Sequence, residues 1–280
     1  MADRNGSVRT FGDLLAGIMK YAPPEIEEYS KLPKEEQLRI LVNECNAEVD
    51  EEGMKAVPCE TCHGKGIIYS EDGNWWHTKE CSCMKSRRAL SYVDRLGLTE
   101  LVKASTFDKF VVDSDFTKAL KEKVISYAKE STGEWLYLGG QSGCGKTHLA
   151  MAIFGRLIHQ HKAPRVMLWI QDSQRIKSLV TDEEEYNREV FPLQNAEVLI
   201  IDDFFNTVPT QADIKLARTI IDNRYINNLP TIITSELMIP ELYEYDDALA
   251  GRIVEKCGAY CIQIATDEKK NHRMRGIQTL

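Results

Sequence analysis

The chain has 280 residues, 43% hydrophobic and 28% charged, which is ordinary for a soluble globular protein and enough for one large domain and a smaller one. Its net charge of -8 excludes a protein that coats nucleic acid by bulk charge, while leaving room for a local basic groove. No stretch approaches the ~18 consecutive apolar residues of a membrane span and Met1–Thr10 lacks a signal-type apolar core, so a cytoplasmic chain with reduced cysteines is expected.

Residues 1–56 are acidic and helical in pattern. Phe11, Leu14, Leu15, Ile18 and Met19 recur at helical spacing, and Pro23-Pro24 ends that run. A second helix covers Glu35 to Leu41, with Cys45 near its end. A small helical bundle and a partner-docking module both fit this region. Residues 57–96 hold four cysteines and a basic helix over Lys85–Leu96. Within them, Ile67-Ile68-Tyr69 and Trp75-Trp76-His77 form two short strands around Glu71-Asp72-Gly73-Asn74. Trp75 and Trp76 either pack this ribbon or anchor a protein partner. Lys79, Lys85, Arg87 and Arg88 form a basic cluster, either a solvated face or a nucleic-acid contact.

Residues 97–130 form a linker in which Thr106-Phe107-Asp108-Lys109-Phe110 leads into a helix over Phe116–Ala128. From residue 131 to 280 the pattern alternates short apolar runs with helices. Strands are expected at Trp135–Leu138, Val166–Ile170, Val198–Ile201, Thr231–Thr234 and Ala259–Ile264. Helices are expected at Lys146–His161, in the charged segment reaching Val190, at Asp213–Asn227 and at Ala248–Cys257. Continuous apolar strands separated by helices indicate an α/β domain with a parallel sheet covered on both faces. Cys257 and Cys261 are taken as ordinary buried cysteines.

Gly140-Gln141-Ser142-Gly143-Cys144-Gly145-Lys146-Thr147 fits the P-loop pattern in full, between a strand and a helix that continues into His148. Glycines there let backbone N–H groups turn toward phosphate oxygens, and the helix N-terminus adds partial positive charge. Lys146 is expected to reach the β and γ phosphates of ATP, and Thr147 to hold Mg²⁺. Cys144 either fills a variable loop position or, beside a helix N-terminus and a lysine, is an acidified, reactive thiol. Val198–Ile201 followed by Asp202-Asp203 is a Walker B strand, with Asp202 placed to hold Mg²⁺. Thr234 and Ser235 end the next strand, where a hydroxyl can orient the attacking water. Arg252, in Ala250-Gly251-Arg252-Ile253, is a candidate for reaching a neighbour's γ phosphate.

Cys59, Cys62, Cys81 and Cys83 give the pattern C-x2-C-x18-C-x-C. Four thiolates at the two ends of a hairpin suit tetrahedral Zn²⁺, with His63 and His77 as alternative ligands inside the module. A redox pair needs only two cysteines at the start of a helix, whereas this first pair leads into Gly64, Gly66 and a strand. The site is closed, so its role is structural.

Gly140–Ala150 (G-Q-S-G-C-G-K-T-H-L-A), Leu199–Asp203 (L-I-I-D-D), Ile220–Ser235 (I-I-D-N-R-Y-I-N-N-L-P-T-I-I-T-S) and Leu249–Ile253 (L-A-G-R-I) together resemble the DnaC/DnaI type of bacterial and phage replicative-helicase loader, within the AAA+ ATPases. The resemblance runs from Cys59 to the C-terminus. It implies a five-stranded parallel AAA+ sheet flanked by helices, preceded by a helical region and a zinc ribbon. It also implies self-association through ATP-bridged interfaces with Arg252 as arginine finger, and delivery of a ring helicase onto single-stranded DNA. Asp203 stands where many related ATPases carry glutamate, which implies slow or assembly-dependent hydrolysis. Glu236 replaces the family's asparagine after the sensor strand. About 16 residues follow the last strand, enough for a minimal lid only, where Arg273 or Arg275 is either a second sensor or part of a basic tail. The segment Gln174–Val190, with Arg175, Lys177 and Arg188 beside Asp182 to Glu185, takes the place of a DNA-facing insertion; a solvated charged helix is its rival. A transposition helper acting on duplex DNA and a nucleotide-dependent adaptor with little turnover are the alternative functions.

Overall fold

The computed structural model describes residues 31–72, 75–130 and 133–267. The expected helix around Phe11–Met19, the hairpin residues Gly73 and Asn74, and Arg273 and Arg275 lie outside these residues. The chain divides into two compact units, with the boundary after Arg87.

In the first unit, α1 (Lys34–Ala47) places Leu38, Leu41 and Val42 on one buried stripe. The stripe packs against Tyr69 and Trp76 of an antiparallel hairpin, β1 (Ile67–Asp72) and β2 (Trp75–Glu80). Asn46 brackets the edge of that hairpin: its amide donates to the Tyr69 carbonyl at 2.8 Å and its oxygen accepts the Tyr69 N–H at 2.9 Å. The tryptophan pair divides because successive strand residues face opposite ways. Trp76 joins the small core with Tyr69, 5.8 Å between ring centroids, while Trp75 points outward, 53% exposed. A one-turn helix, α2 (Glu51–Ala56), begins at Asp50, whose carboxylate accepts the Gly53 N–H at 3.0 Å. Of the basic cluster, Arg87 is spent on structure: its guanidinium donates to the carbonyls of Gly53 and Gly64.

α3 (Cys83–Arg95) carries Ala89 and Val93 into the core of the second unit, followed by α4 (Thr99–Ala104) and α5 (Asp115–Glu130). The sheet of the second unit has five parallel strands, β3 (Leu136–Gly140), β4 (Pro164–Leu168), β5 (Val198–Asp202), β6 (Thr231–Ser235) and β7 (Cys261–Ile264). They lie in the order β4-β5-β6-β3-β7; the five parallel strands are the sheet that the resemblance implied, and their order is read from the fold. Every residue of β3, β5 and β6 is buried, because helices cover both faces. Leu136, Leu138, Ile200 and Ile232 face α3, α5 and α6 (Lys146–His159). Tyr137, Leu199, Ile201 and Ile233 face α7 (Trp169–Ser178), α8 (Glu183–Gln194), α9 (Gln211–Ile226), α10 (Ile239–Tyr245) and α11 (Asp247–Cys257). On edge strand β4, the Tyr92 hydroxyl donates to the Val166 carbonyl at 3.1 Å, which blunts an otherwise open ladder.

The apolar run expected as one strand to Ile170 stops at Leu168. Asp172 accepts the Leu168 N–H at 2.9 Å, and Trp169 turns inward to pack edge-on against Phe204 and Phe205. The following charged segment is two helices, because Asp182 caps α8 by accepting the Glu185 N–H at 3.1 Å. Cys257 is fully buried, whereas Cys261 is half-buried.

One fully buried cation holds three of these elements. Arg224, on α9, has no exposed surface. Its Nε donates to Thr231 Oγ1 at 2.8 Å, Nη1 to the carbonyls of Leu193, Gln194 and Ala196 at 3.0, 3.3 and 2.9 Å, and Nη2 to the Pro230 carbonyl at 2.6 Å. Burial pulls its pKa down to about 10, yet the carbonyls closing α8 offer the negative end of a helix dipole. Replacing Arg224 by Met should lower unfolding stability by ~3 kcal/mol or more, because several buried carbonyls lose their donor. Urea unfolding of the two proteins measures this.

Candidate functional site

The phosphate-loop sequence, Gly140–Thr147, leaves the C-terminal end of β3 and opens α6. Gly140, Gly143 and Gly145 adopt positive φ values of 106°, 75° and 94°. Side chains are barred there by space as well as by backbone: a Cβ on Gly140 would lie 2.2 Å from the Ile264 carbonyl oxygen, and one on Gly145 2.6 Å from the Phe110 ring. Lys146 is buried, and its Nζ donates to the carbonyls of Gly140 and Gln141, both at 2.8 Å. Cys144 is also buried, with Sγ 3.0 Å from the Gln141 carbonyl. The Gln141 side chain is committed elsewhere: its amide donates to the Asp267 carbonyl and its oxygen accepts the Asp267 N–H, each at 2.8 Å. His148 meets the Thr106 carbonyl at 2.8 Å through Nε2 and stacks edge-on with Phe110, 5.5 Å between centroids. The segment Thr106–Phe110 therefore lies against the loop and the first turn of α6, a contact that only the folded chain makes visible.

Asp202, at the end of β5, is the hub of the site. It is 5% exposed, and its Oδ1 accepts from Thr147 Oγ1 at 3.0 Å and from Thr234 Oγ1 at 2.6 Å. Burial raises its pKa, the hydroxyl bond from Thr234 opposes this, and the neighbouring Asp203 charge raises it further. Asp203 sits at a left-handed φ of 55°, with its N–H donating to Thr234 Oγ1 at 3.0 Å. Thr234 thus touches both acidic residues at once. Ser235 faces the other way along the strand: its hydroxyl donates to the Phe204 carbonyl at 2.6 Å and accepts the Leu237 N–H at 3.1 Å. It is not brought to Asp202.

This arrangement, a lysine-bearing glycine loop facing a buried aspartate one strand beyond its neighbour, occurs in a known setting. Residues 101–256 match the family described as the bacterial DnaA ATPase domain, which is more than half of the chain. The chain belongs to that family. Among curated relatives it is 28% identical to the uncharacterized protein YqaM of Bacillus subtilis over 227 residues, 75% of this chain and 72% of that one. It is 29% identical to the phage-like element PBSX protein XkdC of the same organism over 212 residues, 71% of this chain and 79% of that one. Among solved structures, the DnaI fold aligns with a TM-score of 0.50 at 22% identity, covering 59% of this chain and 93% of DnaI. The replication initiator DnaA bound to AMPPCP and single-stranded DNA aligns with a TM-score of 0.50 at 17% identity, covering 60% and 51% of the two chains.

Within the DnaA-type ATPase domain, Arg252 projects from α11 toward α9. Its Nη1 lies 2.8 Å from Asp222 Oδ1, and its guanidinium 5.8 Å from the Tyr225 ring centre. The three cations of the segment Gln174–Val190 are all in ion pairs: Arg175 with Asp172 and Glu189, Lys177 with Asp213, and Arg188 with Glu184 and Glu185.

The first unit holds a second candidate site. The sulfurs of Cys59, Cys62, Cys81 and Cys83 all lie within 4.8 Å of one another and all four residues are buried. The closest contacts, Cys59 to Cys81 at 3.6 Å and Cys62 to Cys83 at 3.5 Å, approach the ~3.8 Å edge of a tetrahedron with ~2.3 Å metal–sulfur bonds. His63 and His77 are not in the group; His77 Nε2 pairs with Ser70 Oγ at 3.0 Å. His63, Gly64 and Gly66, with φ of 48°, 90° and 75°, curl the knuckle so that the Gly66 N–H reaches Cys62 Sγ at 3.2 Å. Burial pushes the Cys59 thiol up, but the N–H groups of Cys62 and Thr61 outweigh it and bring it to about 7. Burial and the neighbouring Cys62 and Cys81 push Cys83 the other way, well above its ordinary value. Four buried thiols of this kind become thiolates together only around a shared cation.

The raised Asp202 pKa has a pH consequence. A carboxyl whose folded pKa exceeds its unfolded value penalises the folded state above the folded pKa, and the penalty vanishes below the unfolded one. Stability of the nucleotide-free protein should therefore carry an Asp202 contribution that grows as pH falls toward the acid range. Asp202→Asn, whose oxygen still accepts from Thr147 and Thr234, should raise the neutral-pH Tm and flatten that contribution in a pH series of thermal melts.

Proposed function

We propose that this chain is an ATP-dependent loader that binds a replicative ring helicase and delivers it to single-stranded DNA. The observation that carries the reading is a DnaA-family ATPase core joined to a separate compact unit holding four clustered cysteines. The likeness of its core to DnaI, and to a DnaA bound to single-stranded DNA, supports it.

In this reading the N–H groups of Gly140 to His148 cradle the phosphates of ATP. Lys146 exchanges the Gly140 and Gln141 carbonyls for phosphate oxygens. Thr147 and Asp202, already 3.0 Å apart, hold Mg²⁺, whose chemistry is to neutralise charge on the β and γ phosphates. Asp203 polarises the attacking water, and its shorter side chain makes turnover slow and dependent on assembly. Thr234, bonded to the Asp202 carboxylate and to the Asp203 N–H, fixes that carboxylate relative to the Asp203 backbone. Ser235 fixes the strand end behind it through Phe204 and Leu237. Arg252 acts in trans, on the nucleotide of a second copy. Cys59, Cys62, Cys81 and Cys83 hold a structural Zn²⁺ that stabilises a unit too small for a large core.

Full-length protein with ATP should co-elute with the host's replicative helicase on size exclusion, and Lys146→Ala should weaken ATP binding at least about tenfold. Absence of any complex with the helicase would refute the loader reading. Metal analysis should find one zinc per chain, absent from a Cys81→Ser/Cys83→Ser protein; a metal-free wild type that keeps its first unit folded would dismiss the zinc.

A further inference from the structure

A polar seam runs between α9 and α11. At one end Arg218 grips Asp246 side-on, with Nε and Nη2 donating at 2.6 and 2.9 Å, while Asp246 caps α11 by accepting the Leu249 N–H at 2.8 Å. Further along, the Tyr225 hydroxyl donates to Glu255, with both carboxylate oxygens at 3.0 Å, and Lys256 donates to Asn228 at 2.5 Å. Arg252 sits between these rungs, and it is bound differently. Its Nη1 and Asp222 Oδ1 are 2.8 Å apart and shut off from solvent, although the two side chains are 33% and 35% exposed. The pair is not aligned as an N–H···O bond, so charge holds it. Nε and Nη2 have no hydrogen-bond partner among the described residues. One prong of the fork is anchored inside and the opposite edge is open.

We infer that Asp222 is a positioning residue for Arg252: it holds Nη1 so that the Nε/Nη2 edge is presented to phosphate oxygens on a second copy of this chain. The inference rests on the reading of Arg252 as acting in trans. A guanidinium engages phosphate best through two parallel donors on one edge, and Arg218 shows that edge in use on Asp246. An unheld arginine on a helix face would surrender rotamer freedom on reaching a phosphate. Asp222, with the Tyr225 ring beside the guanidinium, restricts that freedom before the copies meet. Because the pair is one-third exposed, it adds little to the stability of the lone chain. Its effect falls on turnover in the assembly.

The test is steady-state ATP hydrolysis by full-length protein over a range of protein concentrations. Asp222→Ala should lower the plateau turnover about tenfold while half-saturating ATP stays within about twofold. Asp222→Asn, which keeps an oxygen facing Nη1, should recover at least half of the loss. On an Arg252→Ala background, Asp222→Ala should have no further effect, since the two residues act as one unit. If Asp222→Ala matches wild type while Arg252→Ala loses turnover, the inference is overturned and the reading of Arg252 stands. A fall of equal size on the Arg252→Ala background, or weaker ATP binding in parallel, would mean that Asp222 serves the fold, and would also overturn it. Wild-type turnover in Arg252→Ala, or turnover independent of protein concentration, would remove the reading and the inference together.

Discussion

The carboxylate of Asp202 is the constraint on which the candidate site depends. A buried carboxylate is costly to desolvate unless donors replace its water. Two threonine hydroxyls do so here, one from the first turn of α6 and one from the end of β6. Those bonds fix the helix behind the phosphate loop relative to two strands of the sheet. The backbone of the next residue, Asp203, is tied to the same Thr234 hydroxyl. Loop, acidic pair and the end of β6 therefore share one hydrogen-bonded junction, and a shift in any one of them is felt by the others.

The far end of the sheet is secured by the opposite charge. Arg224 collects carbonyls from the end of α8, the segment before β5 and the turn after α9, and the Thr231 hydroxyl at the start of β6, without a carboxylate partner. Carbonyl dipoles solvate the guanidinium in place of water, so the cation is tolerated without a rigid ion pair. Asp202 and Arg224 thus sit at opposite ends of β5 and β6, each buried and each satisfied by groups fixed in the fold.

Much of this was legible in the sequence. The five strands stood out because a parallel sheet covered on both faces leaves near-continuous apolar runs. The phosphate loop and the four cysteines stood out because their spacing is dictated by ligand geometry. What failed to show depended on contacts distant in the chain. Trp169 and Ile170 extend an apolar run, yet Trp169 belongs to a helix because Phe204 and Phe205 receive its ring. The helices at Glu51–Ala56, Thr99–Ala104 and Ile239–Tyr245 are too short to display a period. Thr234 and Ser235 look equivalent until strand alternation sends their hydroxyls to opposite faces. The clasp of Thr106–Phe110 on the phosphate loop, and the pairing of Arg252 with Asp222, join residues that no local pattern connects.

The strand order also sets when the ATPase unit can be built. Interior strand β3 pairs with β6, as Leu136 beside Ile232, and with β7, as Gly140 beside Ile264. One of its edges therefore stays open until β7 has left the ribosome, and the entropy of closing those long loops must be met before the pairings form. The cysteine hairpin closes between near neighbours in the chain, as Ile67 beside Glu80. During synthesis the small unit can be complete while β3, a strand that the finished fold buries on both faces, still waits for its partners. In that interval it is an exposed strand edge at which misassembly can begin.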